Sequence, residues 1–214
     1  MVSPSQDCQL CPRLVDFRNE SRSKEPNWHN GAVASFGSAD AQFLVIGLAP
    51  GLTGANRTGR PFTGDWAGDL LYETLDAFGF SEGNYDKRQD DGLQLIGARI
   101  TNAVRCVPPQ NKPNAFETNT CRPFLASEIA SLRELKVLLC LGRISHDSTV
   151  RALGEKPSRL AFSHGSEHTV EFGGRSLTLL SSYHCSRYNT NTGRLTAEMF
   201  RSVFARAREI IDTH

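Results

Sequence analysis

Four short apolar runs decide most of what this chain can become: 43–48, roughly 96–104, 136–141 (KVLLCL) and 176–182 (SLTLLSS). They are rich in Val, Ile and Leu and read as parallel strands buried on both faces. Helix-period segments lie between them. Across 65–79, Ala67, Leu70, Leu71, Thr74, Leu75 and Phe78 share one face at three- and four-residue steps. A second helix is expected to begin at Pro123, a good first helical residue, and to carry Phe124, Leu125, Ile129 and Leu132. The last helix starts after Thr196 as N-cap, with Leu195 and Phe200 spaced as a hydrophobic staple. The short segment 168–172 (HTVEF) is expected to pair with 160–162 as a hairpin. Strands alternating with helices imply an α/β sandwich around a mostly parallel sheet. Ligands collect beyond the carboxyl ends of such strands. Three polar stretches stand there: a glycine-rich loop after the first run, Thr101-Asn102, and Ser182-Tyr183-His184.

A chain of 214 residues suits a single domain, here 1–214, with enough core to need no covalent staple. No apolar run reaches the ~18 residues of a membrane span. The N-terminus, MVSPSQDCQLC, lacks the basic and apolar parts of a signal peptide, so a cytoplasmic protein is expected. The absence of a coiled-coil repeat favours a monomer. A net charge of +1 gives no global field for nucleic acid. Basic residues can still be confined to one mouth. Arg57, Arg60, Arg187 and Arg194 lie in two polar loops, where the plain alternative for each is a solvated surface arginine.

The glycine-rich loop, GLAPGLTGANRTGRPFTGD, runs from Gly47 to Asp65. It is not a nucleotide P-loop, because no Gly-Lys-Ser/Thr follows its glycines. Nor is it a dinucleotide fingerprint, because Pro50 and Pro61 interrupt it and the helix begins only near Asp65. What remains is a long loop that brings backbone N–H groups and an aromatic ring, Phe62, close to a flat or anionic ligand.

In a reducing compartment six cysteines point to metal binding, catalysis or burial. Cys8 and Cys11 form a C-x2-C pair, and Cys106 and Cys121 form a C-x14-C pair around a proline- and asparagine-rich loop. Two such pairs can close a tetrahedral or cubane site, and spacing leaves zinc and iron–sulfur both open. Cys140, inside an apolar strand, reads as a buried small hydrophobe.

Taken together, GLAPG-x-x-GANRTGRPFTGD, TNAVRC and H-x-S-x-x-N-T-x-TGRLT resemble the type-B (family five) uracil-DNA glycosylases. The resemblance spans Cys8 to about Thr196. It implies a three-layer α/β/α fold with a central four-stranded, mostly parallel sheet. It also implies a [4Fe–4S] cluster held by Cys8, Cys11, Cys106 and Cys121, tying the N-terminal segment to the 106–121 loop. The implied activity is excision of uracil and other deaminated bases from double-stranded DNA, leaving an abasic site.

Such enzymes must flip the nucleotide out of the duplex into a pocket. On the resemblance, Gly47, Ala49, Gly51, Phe62 and Asn102 bind the base, with Phe62 stacking and the Asn102 amide reading its edge. Bond cleavage puts positive charge on the sugar and negative charge on the departing base, so a donor and a carboxylate are needed. His184 is the expected donor. Asp65 is the expected carboxylate, although it also stands where a helix N-cap belongs. Asn56 is a second candidate for holding water. The segment Ser186–Asn191 resembles one that enters the DNA, with Arg187 or Tyr188 filling the vacated position. Asn189, Arg57 and Arg194 complete the expected DNA contacts.

Two departures bear on specificity and geometry. Uracil-restricted relatives carry tyrosine where this chain has Gly51, and type-B proteins typically carry alanine; glycine implies a roomier pocket and excision of hypoxanthine. The family's His-Pro-Ser is His184-Cys185-Ser186, which removes a ring that would stiffen the loop. Three alternatives remain. The family-four type normally has Glu at position 48, where this chain has Leu48. A non-catalytic, metal-stapled DNA-binding module would not need Asp65 and His184. An unrelated metal-dependent hydrolase would need a His/Asp cluster that the sequence lacks.

Overall fold

Every residue of Phe43–Gly47, Ala98–Asn102 and Val137–Leu141 is buried, as strands covered on both faces must be. The computed structural model describes residues 1–213. In chain order its elements are α1 (Pro12–Lys24), β1 (Phe36–Gly37), β2 (Phe43–Gly47), α2 (Ala55–Thr58), α3 (Trp66–Ala77), β3 (Ser81–Glu82) and β4 (Gln94–Leu95). Then follow β5 (Ala98–Asn102), α4 (Ala115–Ser131), β6 (Val137–Leu141), α5 (Arg143–Ala152), β7 (Glu167–Phe172), β8 (Arg175–Ser182), α6 (Arg187–Asn191) and α7 (Ala197–Thr213).

The main sheet has the order β1-β5-β2-β6-β8-β7. Its middle four strands are parallel, as expected, and the outer two are antiparallel. The sheet therefore has six strands rather than four. The period of two sorts strand residues between two helical layers. Phe43, Val45, Val137 and Leu139 pack with Leu71 and Leu75 of α3 and with Phe200 and Phe204 of α7. Leu44, Ile46, Leu138 and Cys140 pack on the other face with Leu125 and Ile129 of α4 and Val150 of α5. The result is the expected α/β/α sandwich. Among the described residues, no helix is long and apolar enough to cross a membrane.

Two local expectations are corrected. Segment 168–172 does not pair with 160–162; it belongs to β7, which pairs with β8. The reason is the Gly173-Gly174 turn, whose φ angles of 59° and 77° suit a two-residue hairpin loop. The second helix starts at Ala115, not Pro123. There Asn114 and Glu117 form a reciprocal capping box, which satisfies the first-turn N–H groups and leaves Pro123 inside the helix. The outer two helices match expectation. Asp65 caps α3 through Gly68 N–H at 3.1 Å, and Thr196 accepts from Met199 N–H at 3.1 Å at the start of α7.

Candidate active site and cysteine cavity

The parallel register places Gly47 beside Asn102 at the carboxyl end of the sheet. The glycine-rich loop, the β5 end, the start of α3 and the 184–187 segment meet there around a cavity of ≈ 410 Å³. Ala49, Gly51, Phe62, Asp65, Asn102, His184 and Arg187 all line it. Gly47 forms the backbone beneath: a Cβ there would lie 2.6 Å from Phe62 Cζ and would also strike Asn102 Oδ1. Glycine at 47 thus lets ring and amide approach the strand end.

Phe62 serves both packing and pocket. It is buried in the core with α3, yet its ring runs along His184, 6.0 Å between centroids and 26° from parallel. It holds φ at 54°, a left-handed conformation costly for a bulky residue. Its carbonyl is fixed by Tyr85 Oη–H at 3.2 Å. Asn102 is buried, and its Oδ1 has no partner. Its backbone carbonyl, by contrast, accepts from Arg105 Nε at 3.0 Å. The backbone of Asn102 is thus fixed while its side-chain oxygen is left free to accept.

Asp65 is the cap of α3 and also a pocket wall. Burial raises its carboxyl above the ordinary carboxylate value, against the opposing N–H bonds from α3. His184 feels burial in the opposite sense. Its pKa is lowered to about 4, so the imidazole is neutral at neutral pH. Two contacts flank it: Asn189 Nδ2 donates to the His184 carbonyl at 2.8 Å, and the Cys185 thiol reaches the Ala67 carbonyl at 3.5 Å. Cys185 is fully buried in the core, so these contacts hold the loop where the proline ring is missing.

Asn56 is not among the residues lining the cavity. It is buried behind the loop, where its Nδ2 donates to Asn30 Oδ1 at 2.9 Å and its N–H donates to the Gly51 carbonyl at 3.0 Å. Arg60 also departs from the surface reading. It is buried, with bonds of 2.8 and 2.7 Å to the Asp91 carboxylate and its guanidinium among Phe36, Tyr72 and Tyr85. Arg57, Arg187, Tyr188 and Arg194 are exposed, and Asn189 is half-buried. Trp66 was missed by sequence reasoning. It lies under Arg187, 5.4 Å from guanidinium to ring, and donates Nε1–H to Thr190 Oγ1 at 3.1 Å. An exposed tryptophan directly after a cap residue was the available signal.

A second cavity gathers Cys8, Cys11, Cys106 and Cys121 among Leu10, Leu14, Val104 and Phe124. Cys121 comes from α4 rather than from the loop, one consequence of the earlier helix start. Cys11 is the residue before α1, whose first position is Pro12. Burial, with neighbouring cysteines adding, pushes the Cys11 thiol up to about 11 and the Cys106 thiol up to about 12. Among the described residues, no three His, Cys, Asp or Glu side chains converge on a position for a single metal ion.

Behind the sheet, Glu128 of α4 is fully buried and holds Arg99 Nε at 2.7 Å, Thr101 Oγ1 at 3.0 Å and the Arg105 guanidinium. Arg105 also donates to Ser35 Oγ at 2.7 Å. This buried network anchors the chain on either side of Asn102.

The family model of the uracil DNA glycosylase superfamily matches residues 34–208. The chain is 44% identical over 209 residues to the type-5 uracil-DNA glycosylase of Thermus thermophilus, covering 95% of this chain and 93% of that one. It is 39% identical over 212 residues to the type-5 uracil-DNA glycosylase of Mycobacterium leprae, covering 95% and 91%. With the type-4 uracil-DNA glycosylase of Pyrobaculum aerophilum it shares 30% over 180 residues, covering 84% and 78%.

Proposed function

The chain belongs to the uracil DNA glycosylase superfamily, and from that premise we propose that it is a type-5 DNA repair glycosylase. It hydrolyses the N-glycosidic bond of uracil, and of hypoxanthine, in double-stranded DNA and leaves an abasic site. The observation that carries this reading is the pocket itself. Phe62 and Asp65 from the glycine-rich loop, Asn102 from the end of β5 and His184 after β8 line one cavity.

In this proposal the flipped base stacks on Phe62, and Asn102 bonds its edge with the amide that has no protein partner. As the bond breaks, the neutral His184 ring donates N–H to the base oxygen that gains charge. Asp65 faces the sugar, where its carboxylate stabilises the cation and orients the water. Asn56 supports the loop from behind instead of holding that water. Arg57, Arg187 and Arg194 contact phosphates, and Tyr188, 73% exposed, fills the vacated position. The chain works as a monomer.

Gly51 supports the wider substrate range. A Cβ there would meet only Asp65 Oδ2 within 4 Å, so the space beside the carboxylate is open. The donor set of the cysteine cavity, Cys8, Cys11, Cys106 and Cys121, is that of a [4Fe–4S] cluster. The four cysteines line one largely apolar cavity, a donor set that either zinc or a cubane cluster accepts, and the resemblance to the type-B enzymes favours the cluster. When bound, the cluster supplies a cross-link between the start of α1, the segment at Cys106 and α4. No step of excision passes through it.

The test is excision from end-labelled duplexes and single strands carrying one uracil or one hypoxanthine, with alkali to reveal abasic sites. Alkali-dependent cleavage of both duplexes is expected. Cleavage at uracil alone overturns the Gly51 reading, and cleavage of neither overturns the enzymatic one in favour of a DNA-binding module.

A further inference from the structure

Arg18 stands out among the buried polar side chains that lack partners, because it leaves two charged nitrogens unpaired. It lies in α1, only 2% exposed, and ranks among the largest fully buried side chains. Its Nη1 donates to the Cys8 carbonyl at 3.0 Å, but Nε and Nη2 are buried with no partner. A guanidinium is always charged. An uncompensated buried charge is costly, and proteins elsewhere pair it, as this chain does for Arg60, Arg99 and Arg105. Asp7, which lies near enough to feel Arg18, is exposed and already bonded to Arg22. Arg105 is the arginine in the wall of the cysteine cavity, while Arg18 stands just behind it, bonded to the Cys8 carbonyl and with the Cys106 sulfur within its field.

Four thiolates around a cubane iron–sulfur core form an anion in both common redox states. We infer that Arg18 is the counter-charge of that cluster, acting through its field and through the Cys8 carbonyl that it holds. The inference rests on the cluster reading above and adds a residue outside the four ligands. Hydrogen bonds and charge around cluster sulfurs are a main determinant of stability and potential. Arg18 is thereby a positioning residue for cluster retention and takes no part in excision.

The role implies opposite effects on the loaded and the empty chain. With the cluster bound, Arg18→Met removes a compensating cation. Without it, the same substitution removes a buried charge that has no partner. Anaerobically purified wild type, Arg18→Lys and Arg18→Met would be compared for iron and sulfide per chain, for decay of the visible absorption under air and chelator, and for unfolding of the apo chain. Expected are several-fold faster cluster loss for Arg18→Met, an intermediate rate for Arg18→Lys, and an apo Arg18→Met chain at least as stable as wild type. Equal cluster lifetimes in all three proteins overturn the inference. So does an equal loss of stability in loaded and empty Arg18→Met, which marks a purely structural arginine. If Arg18→Met does not fold, Arg18→Gln takes its place, and a wild-type lifetime in that variant overturns the inference. Wild type that retains no iron or sulfide overturns the cluster reading itself, a result read before any variant is made.

Discussion

Strand β5 carries polar side chains on both faces, and their fates differ. Arg99 and Thr101 point toward α4, where Glu128 satisfies both and also takes the Arg105 guanidinium. Asn102 points the other way, toward the cavity, and its Oδ1 is left without a partner although it is buried. The chain can evidently saturate polar groups in this part of the fold. Asn56 Oδ1 and Ser148 Oγ are also buried without a partner, so what sets Asn102 apart is its place in the cavity wall as well as its free oxygen. The fully bonded Glu128 network is scaffold, whereas Asn102 combines a free side-chain oxygen with a place on the cavity.

The largest test of this contrast is Glu128→Gln. It leaves Arg99 and Arg105 buried without a counter-charge and should cost about 3–5 kcal/mol of stability. Urea unfolding measures it, and a loss under about 1 kcal/mol, the scale of an exposed pair, would refute the scaffold role. On the cavity side, Asp65→Asn keeps an oxygen to cap α3, since Asn caps as well as Asp. Its folded pKa is raised, so ionised Asp65 stabilises the fold least as pH rises through that value, and neutral Asn should not destabilise at neutral pH. Single-turnover excision should nonetheless fall about 10²–10³-fold, as for loss of one preorganised electrostatic group. Wild-type rates in this variant would return Asp65 to a capping role alone.

Gly47→Ala comes next. The added methyl meets the Phe62 ring and the Asn102 amide, and about 1–3 kcal/mol of overpacking should appear chiefly as weaker base binding. Unchanged KM would show that the ring and amide can move. A smaller effect is expected at Gly51, where Ala and Tyr should lower hypoxanthine excision progressively relative to uracil. The alanine is the needed control, because its Cβ already lies 3.2 Å from Asp65 Oδ2. The last test concerns pH. With its pKa lowered to about 4, His184 stays neutral from there upward, and the rate should show no limb near the ordinary histidine value of 6.5. Because unfolded histidine takes up its proton first, stability should fall as pH drops from 6.5 through about 4. A rate limb near 6.5 that disappears in His184→Gln would mean the ring is more hydrated than the fold indicates.

Much of the site was legible because it is local. Asp65 as a cap, Asn102 at a strand end and the glycine-rich loop are each read from neighbours within a few residues, where backbone sterics and hydrogen bonding act. The helix start at Ala115 was legible as well, but Pro123 drew attention away from the Asn114–Glu117 box. The Gly173-Gly174 turn likewise fixes a hairpin that apolar content alone did not.

By itself the sequence determined the α/β alternation, the parallel middle of the sheet, the pocket loop and the two cysteine pairs, because period and turn chemistry are properties of short stretches. Tertiary structure alone decided which polar groups are satisfied. Arg60 turned to Asp91 and Glu128 to two arginines, while Asn56 gave only its Nδ2 to Asn30 and Asn102 and Arg18 kept free atoms. Pairing of that kind depends on side chains 23 to 31 residues apart reaching one another in a place without water. No local rule encodes such a meeting, because the free energy that selects it exists only once both groups are buried.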